Sequence, residues 1–184
     1  MDRKRFKKQV AFILEADKEK NILRQTHLSG HGRRENDAEH AWHMAMMIYL
    51  LKEYANAEFD LAKTMMMALI RAAGLATQAE REEKAAERIF GLLPDDQRDE
   101  LRGLFEEFEA NETPEARFAH VMDNFQPLLL NNANDGGDWR AHRVSRSQVW
   151  GRQAKTELGS AEIWEYTREL IEENIRKKNI KEDK

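Results

Sequence analysis

Apolar residues recur at helical spacing along almost the whole chain. From Phe6 they run Val10, Phe12, Ile13, Leu14, Ile22 and Leu23 between Lys, Glu and Asp, which predicts one long surface helix with a single buried face. Residues 27–36 break that period, with Gly30 and Gly32 as punctuation, and read as a loop. Asn36 followed by Glu39 forms a capping-box pattern that opens a second helix through Trp42, Met46, Met47, Tyr49, Leu50 and Leu51 to about Asn56. Residues 60–74 are apolar nearly all round, so a third helix is expected at the centre. A fourth is predicted over 78–93, charged on one face, and a fifth from Pro94 and Asp95 to near Asn111. Thr113-Pro114 joins an N-cap to a proline at the first helical position and starts a sixth, reaching about Asn132 with Pro127 as a kink. Residues 134–138 are a turn-rich loop, Ser145 with Gln148 and then Ser160 open two last helices, and a polar tail follows from Asn179. No repeat or linker divides the chain. The pattern predicts one all-α domain over residues 1–184, a bundle of about seven to eight helices.

Composition narrows the function classes more than the fold. The 184 residues carry 30 Lys and Arg against 34 Asp and Glu, a formal charge of −4. A balance so near neutral gives no electrostatic footprint for duplex nucleic acid. The absence of cysteine removes disulfides, thiolate nucleophiles and Cys-based zinc sites together. No run approaches the ~20 apolar residues of a membrane span. The basic start Met1-Asp2-Arg3-Lys4-Arg5 leads into an amphipathic stretch and not an apolar signal core. The expectation is a soluble, cytoplasmic protein.

Few residues carry candidate chemistry. His40 and His43, three apart on the second predicted helix, share a face and could hold a transition metal if other helices supply carboxylates. Asp123 is the natural partner, because it interrupts the apolar series Phe118, Val121, Met122, Phe125 and Leu128 and is costly to bury alone. Against that, two His at this spacing are more often packed or hydrogen-bonded, and a lone Asp pairs as readily with Arg. Met44, Met46, Met47 and Met65 to Met67 offer thioethers, but gap-filling in the core is the commoner use. The Gly-rich stretches Ser29-Gly30-His31-Gly32 and Asp135-Gly136-Gly137 match neither a P-loop nor a dinucleotide fingerprint. Arg33 and Arg34 stand before the second helix, either to hold an anion at its N-terminus or as a solvated basic turn.

The stretch Arg34-Glu35-Asn36-Asp37-Ala38-Glu39-His40-Ala41-Trp42-His43 resembles the first signature of the HD-domain metal-dependent phosphohydrolases, in the branch of the 5′-deoxynucleotidases. Similarity continues through residues 20–26, 79–86, 117–123 and 126–131 and on to Trp164-Glu165-Tyr166, nearly the whole chain. The resemblance implies an HD-type helical bundle. It also implies a divalent cation held by a His on the second helix, a His-Asp doublet ending the third, and a later Asp. His40 matches the first position, Asp123 the last, and Arg24 the arginine that contacts substrate phosphate. The doublet is missing. After Met67-Ala68-Leu69-Ile70 the chain reads Arg71-Ala72-Ala73-Gly74-Leu75, which places Arg71 at the metal-binding His, Ala72 at the metal-binding Asp and Leu75 at the catalytic Glu. The acidic loop that should follow is reduced to Ala76-Thr77-Gln78.

His40 and Asp123 alone are too few ligands to compete with a cation's own hydration. Arg71 also brings a charge that does not deprotonate, expected to satisfy Asp123, or Glu39 if that side chain turns inward. The leading expectation is therefore a noncatalytic HD-domain scaffold with a dismantled metal site and no cofactor. Engineering or degeneration would have retained it for binding or display, with a protein partner or a small anion held by Arg24 and Arg33. The alternative is a metal-dependent phosphohydrolase of nucleoside 5′-monophosphates with a weakened site, using a divalent transition metal on His40 and Asp123 with His43 as replacement ligand. A third, a new acid–base site from His31, His40 and His43, lacks any sign of convergence. The resemblance further implies a homodimer, with Trp139, Trp150 and Trp164 open to either an interface or the core.

Overall fold

The computed structural model describes residues 2–74 and 87–183, with the side chains of 72–74 left aside. Asp2 accepts from the N–H groups of Lys4 and Arg5 and so caps helix α1 (Arg3–Ala16). The single long helix expected from the sequence stops there. Asp17–Asn21 tighten into a 3-10 turn, and the chain enters strand β1 (Leu23–His27), antiparallel to β2 (Arg34–Asn36). The irregular loop expected at 27–36 is thus largely a hairpin. Its strands are too short and polar to produce an alternating signal. Tertiary contacts hold it instead. Gly30 and His31 take left-handed backbone at the tip, with φ of 74° and 59°. Asn134 accepts from the His31 N–H at 2.9 Å and donates to the carbonyls of His27 and Leu28. No α1 residue is fully buried, and Phe6, Ile13 and Leu14 remain exposed. Phe12 stacks on Phe90, while Arg5 and Gln9 reach Asp96 and Gln97.

The remaining elements are α2 (Asp37–Leu51), a 3-10 turn (Lys52–Tyr54), α3 (Leu61–Gly74), a helical turn at 87–90, α4 (Asp95–Ala110), α5 (Pro114–Ala133), α6 (Gly137–Ala141), α7 (Arg146–Gln153), α8 (Thr156–Gly159) and α9 (Ala161–Arg176). The all-α bundle expected from the sequence is the observed class, with one two-stranded sheet added. The rest of the predicted helix over 78–93 lies outside the described residues. The centre is α5 and not α3. Helices α2, α3, α4, α8 and α9 all pack on α5, whose Phe118, Val121, Met122, Phe125 and Leu128 are buried. On α3, Met67, Ala68 and Ile70 face the core, but Met66 and Leu69 are exposed. A run that is apolar all round can therefore still sit at the surface when its neighbours cover only one side.

Capping follows the sequence signals. Asn36 with Glu39 and Ser145 with Gln148 both close capping boxes, and Thr113 and Ser160 cap α5 and α9. Helix α5 runs unbroken through Pro127. The loop expected at 134–138 already contains the start of α6. Left-handed Gly136 (φ 68°) lies so close to Asn179 that a Cβ there would fall 2.4 Å from the Asn179 Cβ. The tail from Asn179 is not loose: Asn179 and Ile180 are buried, and Lys181 bridges to Ser145. Trp139 belongs to the core, and the half-buried Trp150 and Trp164 meet edge to face at 5.5 Å. The exposed tryptophan is Trp42, in an apolar stripe with Met46, Tyr49 and Leu50 along α2. Among the described residues no helix is long and apolar enough to cross a membrane.

Glu19, on the turn between α1 and β1, is buried, and loss of solvation with the nearby charge of Asp37 pushes its carboxyl from 4.5 up to about 7. The folded state favours the protonated form, so this contribution to stability is complete below pH 4.5 and is lost as pH rises through 7. Glu19→Gln should raise the melting temperature at pH 8 by on the order of 5 °C and leave it unchanged at pH 4, measured by calorimetry.

Candidate functional site

Between the hairpin, α2, α3 and α5 lies a buried polar chain. His40, on the first turn and a half of α2, has Nε2 2.9 Å from Asp123 Oδ1 and Nδ1 3.0 Å from Gln126 Oε1. Asp123 and Gln126 lie one helical turn apart on α5, which is why one imidazole spans both. Gln126 Nε2 donates in turn to Glu35 Oε1 on β2, and it lies 3.2 Å from His43 Nδ1. Arg24 on β1 closes the outer end. Its Nη1 donates to Asp37 at 3.0 Å, and its Nε is 3.6 Å from Glu35 Oε2. At the inner end, Arg71 Nη1 stands 3.1 Å from Asp123 Oδ1, with its guanidinium carbon 5.4 Å from the ring centre of Phe108 on α4.

These contacts define the electrostatics. Burial would push the Asp123 carboxyl up, but the His40 hydrogen bond, the Arg71 charge and the more distant Arg152 charge hold it below the usual carboxylate range. Arg152 is pulled down by burial and by repulsion from Arg24 and Arg71, against the attraction of Asp123. His43 is likewise lowered by burial.

Whether the residues present suit a divalent cation turns on Arg71. The 2.9 Å between His40 Nε2 and Asp123 Oδ1 is a separation that two ligands of one cation also keep. A guanidinium on the same carboxylate oxygen competes with one, because it sets a permanent positive charge 3.1 Å from that oxygen and would repel the cation. Among the described residues no three His, Asp or Glu side chains converge on a common point. The described donor set does not fit a resident metal.

The other sequence candidates separate cleanly. Arg33 does not join the network: it forks onto Glu39 and donates to the Arg34 carbonyl, and that pairing with the Asn36 N–H lowers the Glu39 carboxyl to about 2. Glu39 therefore faces outward to Arg33, and Arg71 is left to Asp123 alone. An anion at Arg33 would share the guanidinium with Glu39. His43 touches Gln126 and neither His40 nor Asp123, so it is not placed as a third ligand. His31 sits at the exposed hairpin tip near Asp135. Leu75 and the side chain of Ala72 lie outside the described residues. Three participants were not singled out in the sequence: Glu35, Asp37 and Gln126. Their signal was present, since polar residues at buried positions of a helix and a strand require partners, but only the hairpin's existence brings Glu35 inward.

The fold and this site place the chain among HD-domain proteins. The match to that family covers residues 16–71 and 70–164, two stretches that meet at Ile70-Arg71, and the chain belongs to the HD-domain family. It is similar to the 5′-deoxynucleotidase HDDC2 of Homo sapiens, 28% identical over 149 residues, covering 75% of this chain and 72% of that protein. The Danio rerio protein of the same name is 29% identical over 106 residues, 52% of this chain and 53% of its own. A crystal structure described as a predicted metal-dependent phosphohydrolase from Magnetospirillum magnetotacticum MS-1 superposes with a TM-score of 0.91 at 42% identity, over 96% of both chains.

Gln126 is the hinge of the network, because it hydrogen-bonds both Glu35 on the hairpin and His40 on α2, which themselves lie 3.6 Å apart. Gln126→Leu removes the hydrogen bonds to His40 Nδ1 and Glu35 Oε1 in a buried setting and should cost about 3 kcal/mol, read as a lower urea midpoint with an unchanged slope.

Proposed function

We propose that this chain is a phosphomonoester-binding HD domain that recognises its ligand without hydrolysing it. The observation that carries this reading is the Arg71–Asp123 ion pair at 3.1 Å, a fixed cation in contact with the carboxylate that would otherwise serve a metal. Arg24, two residues before the buried Thr26, is oriented by Asp37 and Glu35 at the open end of the network, and supplies the charge for a phosphate.

A second reading is favoured by the relatives: a metal-dependent phosphohydrolase acting on nucleoside 5′-monophosphates. The HDDC2 proteins are named 5′-deoxynucleotidases, and the Magnetospirillum protein is described as a predicted metal-dependent phosphohydrolase. This reading requires Arg71 to leave Asp123 and a further ligand to join His40, with a divalent transition metal supplying Lewis acidity and an activated water.

Metal analysis of the purified chain separates the two. The first reading expects no stoichiometric cation, a melting temperature indifferent to chelator, and no phosphate release from deoxynucleoside monophosphates with added cobalt or manganese above a His40→Ala control. One transition metal per chain, or turnover above that control, replaces it with the second.

A further inference from the structure

Helix α1 is held to the body along one side. Arg5 pairs with Asp96, Gln9 Nε2 donates to Gln97 Oε1 at 2.8 Å, and Phe12 stacks on Phe90, all toward α4 and the turn before it. Arg5, Gln9 and Phe12 follow one another at i, i+4 and i+7, so they share one face and leave the opposite face to solvent. That outer face is apolar. Phe6, Val10, Ile13 and Leu14 run along it at i, i+4, i+7 and i+8, with Phe6 51% exposed, Ile13 64% and Leu14 65%.

Charge sets this face apart from the apolar stripe of α2. Five of the six residues 3–8 are Lys or Arg, in a chain whose net charge is −4. Arg3 and Lys7 lie one turn apart beside the apolar residues, and Lys4 stands at the edge. Among the described residues none of these three enters an ion pair. The acids of the same segment are engaged elsewhere. Asp2 caps the helix, Glu15 is paired with Lys18 and Arg88, and Asp17 with Lys20.

We infer that the outer face of α1 docks on an anionic lipid surface, with Phe6, Ile13 and Leu14 entering the boundary between headgroups and acyl chains and Arg3, Lys4 and Lys7 at the headgroup phosphates. A helix with Lys and Arg beside Phe, Ile and Leu lies in the plane of such an interface and does not span it. The long basic side chains can keep their stems along the apolar surface and their charges at the headgroups. A convex helix needs no matching groove in a fluid surface, whereas a second copy of this chain would bring the same unpaired bases to the contact. Because α1 is already folded and anchored, docking requires no helix formation. The match to the HD-domain family begins at residue 16, so this face precedes the matched stretches.

The test is flotation of the full chain with vesicles of phosphatidylcholine alone and of phosphatidylcholine with about one third phosphatidylglycerol. The anionic vesicles should carry about tenfold more protein than the neutral ones, and added salt should release it. Ile13→Glu with Leu14→Glu, and separately Arg3→Gln with Lys7→Gln, should each lower that binding about tenfold. Both variants should keep the melting temperature of the unaltered chain, since these side chains face solvent. Equal binding to the two vesicles, equal binding by either variant, or no binding by the unaltered chain overturns the proposal. A chain that does not float but forms a dimer lost on Ile13→Glu with Leu14→Glu overturns it in favour of a second copy on this face.

Discussion

Asp123 sits almost wholly out of water on the central helix, and a bare carboxylate there would cost several kcal/mol. Much of the polar interior answers that one charge. His40 reaches it from α2, Arg71 from the end of α3, and Arg152 acts on it from α7. Counted with Glu35 and Asp37, the carboxylates of this interior are met at ion-pair distance by Arg24 and Arg71. Removing any one member leaves an opposite charge uncompensated at low dielectric, so these residues stand or fall together.

The same balance shows which part of a metal's work a guanidinium can take over in a hydrolase-type fold. A divalent ion does two jobs in such a site: it neutralises ligand carboxylates, and it activates water. A guanidinium performs the first and cannot perform the second, having neither an open coordination position nor a proton to exchange near neutral pH. The bundle keeps its packing because the electrostatic demand is met, and overlap with the Magnetospirillum structure along 96% of the chain shows that the surrounding helices hold their places.

Helix positions were legible because caps are local chemistry. Asn36-Glu39, Thr113-Pro114, Ser145-Gln148 and Ser160 each announced a helix start that the structure keeps. What escaped was decided at long range. The hairpin exists because Asn134, more than a hundred residues later, ties its tip, and the tail docks because Asn179 fits against a glycine with left-handed backbone. The site divides the same way. His40, Asp123, Arg71 and Arg24 were readable from residue type and resemblance, whereas Glu35 and Gln126 gain their roles only once the hairpin folds over α5. Arg33, expected from the sequence to stand before the second helix, is forked onto the helix-capping carboxylate of Glu39.

Arg71 owes its contact to angular phase. It follows the core residue Ile70 on the last turn of α3, and each residue along a helix advances by about 100°. Insertion or deletion of a single residue between Leu61 and Ile70 would swing the guanidinium a quarter turn or more off its carboxylate. The anchoring methionines would be displaced with it. Length variation in this segment is therefore closed to the protein, while substitution at outward-facing Met66 or Leu69 stays open.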